Sequence, residues 1–232
     1  MAAVPTRPAA ALLDVNETLS DLGELRERFD GVGADPWLLD TWFASTLRDG
    51  IALTASGDYA DFVDVAWAAL RALLGGAPGL RFTVKEAAEE ILSGFASLPV
   101  HADVPPGLTR LRDAGMRVAT LTNGSAAIAK GLLERAGLTE LVERNLDVSA
   151  VRRWKPHPEP YLHACRTLGI SPEEAVLIAA HPWDVHGAKR AGLRGAWLNR
   201  RGADYPAIFE TPDAEGADLP SLAAALVAYG SS

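Results

Sequence analysis

From about residue 106 onward, helical segments alternate with short runs of β-forming residues, and each helical segment ends at a glycine. These glycines suit the left-handed position that follows a helix; they are Gly115, Gly137, Gly169 and Gly192. The intervening runs predict strands at Arg117–Thr122, Asn145–Val148, Ala175–Ala180 and Gly195–Asn199. With Leu12-Leu13 this makes five strands separated by helices, which predicts an α/β fold with a parallel sheet in a three-layer core. Ser171-Pro172-Glu173-Glu174 predicts the start of a further helix.

Residues 21–105 interrupt this alternation, because they contain several helical segments and no convincing buried strand. One segment begins at Asp35-Pro36, and a second runs from Tyr59 to Leu74. A third opens with a capping box at Thr83–Glu86. We therefore expect a core domain of residues 1–20 and 106–232, with an all-helical cap domain of residues 21–105 inserted after strand one. A cap at that point would cover the tip of strand one like a lid.

Composition disfavours several classes of partner. The 232 residues carry a net charge of −8 without a basic run, so neither nucleic acid nor an anionic membrane surface is expected to bind. No run approaches the ~18 apolar residues of a membrane span, and no signal peptide is predicted. The one cysteine, Cys165, lies in a predicted helix, where we expect a small core residue. A chain without an internal disulfide fits a reducing cytoplasm, which is the expected location.

Asp14 ends the apolar run Ala9–Leu13 and is followed by turn residues. This pattern predicts a buried strand that delivers a carboxylate to its C-terminal tip, where open parallel sheets bind ligands. A carboxylate at such a place is costly unless it has a partner or a use. Aspartate can act as a nucleophile that forms an ester. The alternative is an aspartate that caps the next segment.

Four short motifs follow one another at successive strand ends. They are Asp14-Val15-Asn16-Glu17-Thr18-Leu19, Leu121-Thr122-Asn123-Gly124-Ser125, Lys155-Pro156-His157-Pro158 and Ala180-His181-Pro182-Trp183-Asp184. In this order they resemble the haloacid dehalogenase superfamily, and specifically its 2-haloacid dehalogenase branch. The resemblance covers nearly the whole chain, insertion included. It implies a Rossmann-like core with an inserted helical cap, and hydrolysis of short 2-haloacids, such as haloacetate and 2-halopropionate, to 2-hydroxyacids.

Two positions favour this branch over the phosphatases that the superfamily also contains. Those phosphatases use a second Asp as general acid and base, and they hold Mg²⁺ with a late acidic pair. Position 16 is Asn16, which cannot exchange a proton in that way. The late motif has Ala180-His181 where a Gly-Asp pair is expected. The resemblance thus implies an enzyme without metal or cofactor, and a Mg²⁺-dependent phosphatase acting on a small phosphoester is the alternative.

The resemblance also implies roles for four residues in catalysis. Asp14 attacks the halogen-bearing carbon, and Thr18 holds the second oxygen of that carboxylate. Lys155 keeps Asp14 ionised and stabilises the charge that develops. Asp184 orients Lys155 and helps to place the water that hydrolyses the ester. The alternative for each is a structural role in a cap, a turn or the surface.

A second group of residues is expected to bind the substrate, which the resemblance implies to be a halogenated carboxylate. Hydroxyl, amide and backbone N–H groups at the tip of strand two predict an anion site. Arg48 would reach from the cap to the halide or the carboxylate, and Tyr161 would line the pocket. The full set is Asn16, Arg48, Thr122, Asn123, Gly124 and Tyr161.

His181 stands where the branch commonly has Asn, and three roles are open for it. It could activate the hydrolytic water as a base, donate an N–H to the halide, or be a structural histidine. No cluster of His, Cys and Asp has the spacing of a transition-metal site. The resemblance leaves a homodimer open. A silent anion-binding relative is a third functional alternative, against which the set Asp14, Lys155 and Asp184 argues.

Overall fold

A six-stranded parallel sheet forms the centre of the computed structural model, which describes residues 7–228. The strands are β1 (Ala10–Leu13), β2 (Arg117–Thr122), β3 (Arg144–Asp147), β4 (Ala175–Ala179), β5 (Arg194–Leu198) and β6 (Ala214–Gly216). Their spatial order is β3-β2-β1-β4-β5-β6, so β1 lies in the middle with β2 on one side and β4 on the other. From β1 the chain first adds β2 and β3 on one side of the sheet and then β4, β5 and β6 on the other. Open α/β sheets bind ligands at such a topological switch point.

Helices cover both faces of the sheet. The helices are α1 (Leu25–Gly31), α2 (Leu38–Ala55), α3 (Phe62–Leu74), α4 (Val84–Ser93), α5 (Val104–Asp113), α6 (Ala126–Arg135), α7 (Pro158–Leu168), α8 (Pro182–Arg190) and α9 (Leu219–Ala228). Because side chains alternate along a strand, Ala11 and Leu13 of β1 pack with α5, α6 and α9, whereas Ala10 and Leu12 pack with α7 and α8. The predicted three-layer α/β core is confirmed.

The predicted strands lie within two residues of the observed ones, and the four predicted helix-ending glycines have positive φ. Two expectations differ from the structure. The short strand β6 was not predicted, since only Ala214 of its three residues is buried. The helix expected at Ser171 is wrong: the capping box forms, but Pro172–Glu174 make a single 3-10 turn. The helix stops there because Ala175–Ala179 is a buried strand that pairs with β1 and β5.

Helices α1–α4 of the helical insertion, residues 21–105, pack around an apolar cluster of their own. The indole of Trp42 is fully buried in this cluster and donates a hydrogen bond to the carbonyl of Ala66, joining α2 to α3. Phe29 and Phe95 lie against the same ring. The insertion therefore has an apolar core of its own.

Trp154 precedes Lys155 in the loop after β3, and its side chain packs between helices of the insertion. Its indole is fully buried, stacks on Phe62 and donates to the carbonyl of Ala60. Its backbone N–H donates to the hydroxyl of Thr54. A Cβ at Gly50 of α2 would overlap the Trp154 ring, so glycine there permits the close approach. The insertion is thus anchored beside Lys155.

Two further expectations concern the rest of the chain. Cys165 is buried in the core of α7, as expected, and burial raises the pKa of its thiol to about 11. Across residues 7–228, no helix is both long enough and apolar enough to cross a bilayer.

Candidate active site

The site forms at the C-terminal edge of the sheet, where four connections meet. Asp14 directly follows β1, and Asn123 directly follows β2. Lys155 lies in the loop between β3 and α7, and Asp184 lies in the first turn of α8, after β4. Parallel strands end at the same edge, so residues more than a hundred positions apart in sequence become neighbours. All four of these side chains are buried.

A buried ammonium links the two carboxylates. Lys155 Nζ lies 2.9 Å from Asp14 Oδ1 and 2.6 Å from Asp184 Oδ2. Its third hydrogen bond goes to the carbonyl of Leu121 in β2, at 2.8 Å. The ammonium therefore uses all three of its donors, which fixes its position between the carboxylates.

The charges in this group shift one another's pKa values. Burial opposes ionisation of Asp14, but Lys155 and His181 hold the pKa of that carboxyl far below its usual range. Burial also opposes the charge of Lys155, but Asp14 and Asp184 raise the pKa of the ammonium. Burial raises the pKa of Asp184, the attraction of Lys155 opposes this, and the charge of Asp14 adds to it. Asp14 is therefore the more acidic of the two carboxyls.

The remaining carboxylate oxygens also have protein donors. Thr18 Oγ1 donates to Asp14 Oδ2 at 2.8 Å, and the backbone N–H of Ala180 donates to that hydroxyl in turn. The Tyr161 hydroxyl donates to Asp184 Oδ1 at 2.5 Å. Burial and Asp184 raise the pKa of Tyr161 well above its usual value, so the donor proton is retained. All four oxygens of Asp14 and Asp184 thus accept a hydrogen bond.

The expectation that Tyr161 lines the substrate pocket is wrong. Its ring is fully buried in the core between the sheet and α8, behind Asp184. Tyr161 lies in the first turn of α7. Tyr161 contacts the carboxylate instead of the cavity.

The groups expected to form an anion site after β2 have partners within the chain. Asn123 Oδ1 accepts from the backbone N–H of Lys155 at 2.7 Å, and Asn123 Nδ2 donates to the Lys155 carbonyl at 3.2 Å. The Gly124 N–H donates to Thr122 Oγ1 at 2.9 Å. Asn123 therefore holds the loop that carries Lys155, and the amide of Asn16 lies beside Gly124. The Asn123 side chain and the Gly124 N–H are thus engaged within the chain in this arrangement.

His181 lies on the other side of Asp14 from Lys155. Its Nδ1 is 3.5 Å from Asp14 Oδ2, and its Nε2 is 2.8 Å from Glu17 Oε2. Arg201 Nη2 binds the second oxygen of Glu17 at 2.9 Å. Burial disfavours the imidazolium, but Asp14 and Glu17 raise the pKa of His181 to about 9. The site thus combines three carboxylates with three cations.

A cavity of about 690 Å³ lies beside His181, between the core and the helical insertion. Glu17, His181 and Trp197 form part of its wall on the core side, and Leu22 and Leu39 form part of it on the insertion side. The Asp14 side chain is only 7% exposed and lies behind His181. Asp14 is not part of the cavity wall, whereas His181, 3.5 Å from the Asp14 carboxylate, is.

The expectation that Arg48 reaches the substrate is wrong. Its side chain is 70% exposed and binds the neighbouring Asp49. Phe43, five residues earlier in α2, is buried and lies against the His181 ring, with ring centroids 6.0 Å apart. At 3.6 residues per turn, positions five apart lie about 140° apart around a helix, so Arg48 faces away from the site.

Glu17 and Arg201 were not predicted to belong to the site. Glu17 has φ 62°, an uncommon conformation for a residue other than glycine, and it lies within the tight turn after Asp14. An acidic residue in a motif turn is the sequence signal that could have indicated it. For Arg201, the signal is the basic pair Arg200-Arg201 just beyond β5, at the same edge of the sheet.

A metal site was not expected. Within the part of the chain that the structure describes, no three His, Cys, Asp or Glu side chains are grouped so as to hold a metal ion. The carboxylates of the site instead face Lys155, Thr18, Tyr161 and His181.

Comparison with known proteins agrees with the geometry. Residues 11–192 match the family described as haloacid dehalogenase-like hydrolase. Haloacetate dehalogenase H-2 from Moraxella sp. (strain B) is 34% identical over 51% of this chain and 53% of that protein, so the match spans about half of the relative. (S)-2-haloacid dehalogenase 1 from Pseudomonas sp. (strain CBS-3) is 29% identical over 82% of this chain and 80% of that protein. A crystal structure of a dehalogenase with an intermediate complex superposes with a TM-score of 0.87 at 26% identity, over 96% of this chain and 98% of the other.

Proposed function

The chain belongs to the haloacid dehalogenase-like hydrolase family, and we propose that it hydrolyses the carbon–halogen bond of short 2-haloacids to give 2-hydroxyacids. The observation that carries the proposal is the environment of Asp14, a carboxylate at the tip of β1 that Lys155 keeps ionised and that lies next to His181, a residue of the cavity wall. The names of the relatives, which refer to haloacetate and to (S)-2-haloacids, support the same substrate class.

In the first step, an oxygen of Asp14 attacks the carbon that bears the halogen. The halide leaves with the bonding electrons, and an ester joins Asp14 to the substrate carbon. A halide needs no proton to leave, which is consistent with Asn16 two residues after the nucleophile. The carboxylate attacks from the side opposite the halide, so a chiral substrate gives an inverted product.

In the second step, water attacks the carbonyl carbon of the Asp14 ester. Lys155, 2.9 Å from Asp14 Oδ1, stabilises the oxyanion that forms. Asp184 and Asn123 hold Lys155 in place through its ammonium and its backbone, and Tyr161 holds Asp184. The step restores Asp14 and leaves the substrate carbon untouched.

We propose that the amide of Asn16, two residues after Asp14 and beside Gly124, donates to the substrate carboxylate. In this proposal Thr122, Asn123 and Gly124 shape the loop that carries Lys155 rather than binding substrate directly.

We also propose that the helical insertion acts as a cap domain. Its separate apolar cluster and its contribution of Leu22 and Leu39 to the cavity wall support this role. A cap that excludes water would strengthen the electrostatic interactions around Asp14. A homodimer rests on the sequence resemblance alone and stays a prediction.

The alternative is a Mg²⁺-dependent phosphatase. Mg²⁺ requires oxygen ligands, usually carboxylates with free lone pairs directed at the ion. The Asp14 and Asp184 oxygens already accept from Lys155, Thr18 and Tyr161, and this donor set does not fit a divalent cation. Membership of the wider superfamily supports the alternative, as does the similarity of part of the chain to a phosphoglycolate phosphatase and to a phosphoserine phosphatase.

The test is halide release from chloroacetate, fluoroacetate and each enantiomer of 2-chloropropionate, with and without EDTA. Asp14→Asn preserves the size of the side chain but removes the nucleophile, so release is expected to vanish. Asp204→Asn is the matched control, because Asp204 is an exposed carboxylate on the wall of the same cavity. This variant is expected to release halide at the wild-type rate.

Two results would contradict the proposal. The first is no halide from any substrate together with Mg²⁺-dependent phosphate release from small phosphoesters, which would favour the alternative. The second concerns a single turnover in ¹⁸O water, in which the label is expected in Asp14 and not in the product. Label that appears directly in the first product would exclude an ester on Asp14.

A further inference from the structure

His181 connects Asp14 to a second carboxylate, Glu17, at the wall of the cavity. The imidazole Nε2 lies 2.8 Å from Glu17 Oε2, and Nδ1 points toward Asp14 Oδ2 at 3.5 Å. Nδ1 is buried and has no hydrogen-bond partner among residues 7–228. A buried polar atom without a partner is uncommon in a folded protein and calls for a functional explanation.

The surroundings of His181 fix the orientation of its ring. Trp183 stacks on one side, with centroids 5.3 Å apart, and Phe43 of the insertion lies at 6.0 Å. Glu17 is held in turn by Arg201 at 2.9 Å and by its left-handed backbone conformation. The imidazole is therefore held by Glu17 at Nε2 and by its aromatic neighbours, as a base oriented by a carboxylate must be.

We propose that Glu17 and His181 form a dyad that deprotonates the hydrolytic water, and that ester formation on Asp14 switches this dyad on. The inference rests on the proposed dehalogenase function and assigns a residue pair to its second step. Glu17 keeps the proton on Nε2, so that Nδ1 presents its lone pair toward the carbonyl carbon of the ester.

The position of His181 distinguishes this role from that of a halide donor. In a displacement at carbon, the leaving halide lies on the far side of that carbon from the attacking oxygen. His181 Nδ1 faces the attacking carboxylate itself, at 3.5 Å from Oδ2. It is therefore near the carbonyl that water must attack and away from the halide.

Ester formation changes the protonation of His181 because of the charges that face its ring. Asp14 and Glu17 contact the ring, Lys155 lies beyond Asp14, Arg201 lies beyond Glu17, and the aromatic neighbours carry no charge. With Asp14 ionised, the two carboxylates overcome the cost of burial and the pKa of His181 is raised to about 9, so the ring cannot accept a proton near neutral pH. An ester removes the charge of Asp14, and burial then opposes only the attraction of Glu17.

Each proton that moves in the second step has a donor and an acceptor. After halide leaves, His181 loses the Nδ1 proton to solvent through the cavity. Water then gives one proton to Nδ1 while its oxygen bonds to the carbonyl carbon of Asp14. When the tetrahedral intermediate collapses, the alkoxide of the 2-hydroxyacid takes that proton from Nδ1. Asp14 then gives the second proton of the water to Nδ1, which restores the Asp14 carboxylate and the imidazolium, so that each turnover releases one proton to solvent.

The charge linkage can be measured without any substrate. Asp14→Asn mimics the uncharged ester, and the pKa of His181 is followed by NMR of histidine-labelled protein. A fall of the pKa from about 9 in the wild type to 7 or below in this variant is the expected result. Asp204→Asn is the matched control and should leave the value unchanged. An equal pKa in wild type and Asp14→Asn would overturn the switch.

Rapid-quench kinetics with chloroacetate separate the two chemical steps. In His181→Gln and Glu17→Gln, halide is expected to appear in a fast burst of one equivalent, followed by turnover about 10²- to 10⁴-fold slower, with the ester visible by mass spectrometry. The burst itself shows that the variant is folded. His163→Gln, a change at a histidine of α7 that does not line the cavity, should behave as wild type.

Three outcomes would count against the dyad. Turnover in His181→Gln at the wild-type rate would show that the base is elsewhere. Equal slowing of the burst and of turnover would assign His181 to the first step. In both cases wild-type halide release shows that the dehalogenase proposal still stands. No halide from wild type would instead overturn the proposed function and the dyad with it.

Discussion

Replacing Lys155 with methionine tests whether one buried ammonium stabilises the two carboxylates of the site. Methionine has a similar length but no charge and no donor. The change leaves Asp14 Oδ1, Asp184 Oδ2 and the Leu121 carbonyl without their hydrogen bonds from Nζ. All of these groups are buried, so water does not replace the lost donor without local rearrangement.

The expected loss of stability is large. Removing one partner of a buried ion pair costs about 3–5 kcal/mol, because the other charge stays buried without compensation. For a protein of this size, 1 kcal/mol corresponds to about 2–4 °C in Tm. We therefore expect Lys155→Met to unfold about 6–20 °C below the wild type near neutral pH. Halide release should also be lost.

The stability lost in Lys155→Met depends on pH, and the two carboxyl groups determine the sign of this dependence. Burial already raises the pKa of Asp184, and without the ammonium the pKa of Asp14 also rises. A carboxyl with a raised pKa in the folded state destabilises the protein above that pKa, and the penalty disappears as pH falls toward the unfolded value of 3.8. The difference in Tm between wild type and Lys155→Met should thus narrow from about pH 8 to about pH 5.

Thermal unfolding by circular dichroism across that pH range measures both effects. The double variant Lys155→Met/Asp184→Asn removes one of the two buried carboxylates that lack a counterion. Its Tm should therefore be higher than that of Lys155→Met. Lys130→Met is the matched control, because Lys130 is 60% exposed in an i,i+4 pair on α6. A Tm of Lys155→Met within about 2 °C of wild type, or a deficit that widens as pH falls, would refute the reasoning.

Three further changes test neighbouring parts of the structure. Gly50→Ala places a methyl group against the Trp154 ring and should cost about 1–3 kcal/mol in unfolding free energy, measured by urea denaturation; an unchanged midpoint would contradict this contact. Tyr161→Phe removes the donor to Asp184 and should lower kcat with little change in KM, since Tyr161 does not line the cavity; a change confined to KM would contradict its placement. Arg48→Ala should leave KM for 2-haloacids unchanged, because the side chain is exposed and faces away from the site, and a raised KM would show otherwise.

Much of the fold could be predicted because its strands leave strong local signals. β1 and β4 are apolar along their length, and Gly115 and Gly169 mark the ends of the helices that precede β2 and β4. The strand β6 lacks such a signal, because a three-residue edge strand with one buried residue resembles any surface segment. The capping box at Ser171–Glu174 was predicted correctly. The helix that it opens is limited to one turn, because the next residues form β4 and pair within the sheet.

The proximity of Asp14, Lys155 and Asp184 could also be predicted, since each follows a parallel strand and such strands end at one edge. The two wrong assignments, Arg48 and Tyr161, are both on helices. Placing a helical side chain requires the rotation of the helix about its axis, and the sequence of a helix buried on several sides does not give that rotation.

Glu17 shows a different reason why a site residue could not be predicted from the sequence. Its role depends on a positive φ in a turn of only a few residues and on the imidazole that this turn brings within reach. Neither residue is informative without the other, and they are separated by most of the chain. Two unusual residues in separate motifs thus become interpretable only as a pair.

The insertion of Trp154 into the helices of residues 21–105 has a consequence for recombination between homologues. An exchange of the helical segment at its sequence boundaries would leave the indole in a foreign binding site, where the glycine at position 50 and the acceptor at Ala60 need not be present. A mismatch there would displace the backbone of the next residue, Lys155. Chimeras that exchange the helices together with the loop after β3 are therefore the ones expected to retain a working enzyme.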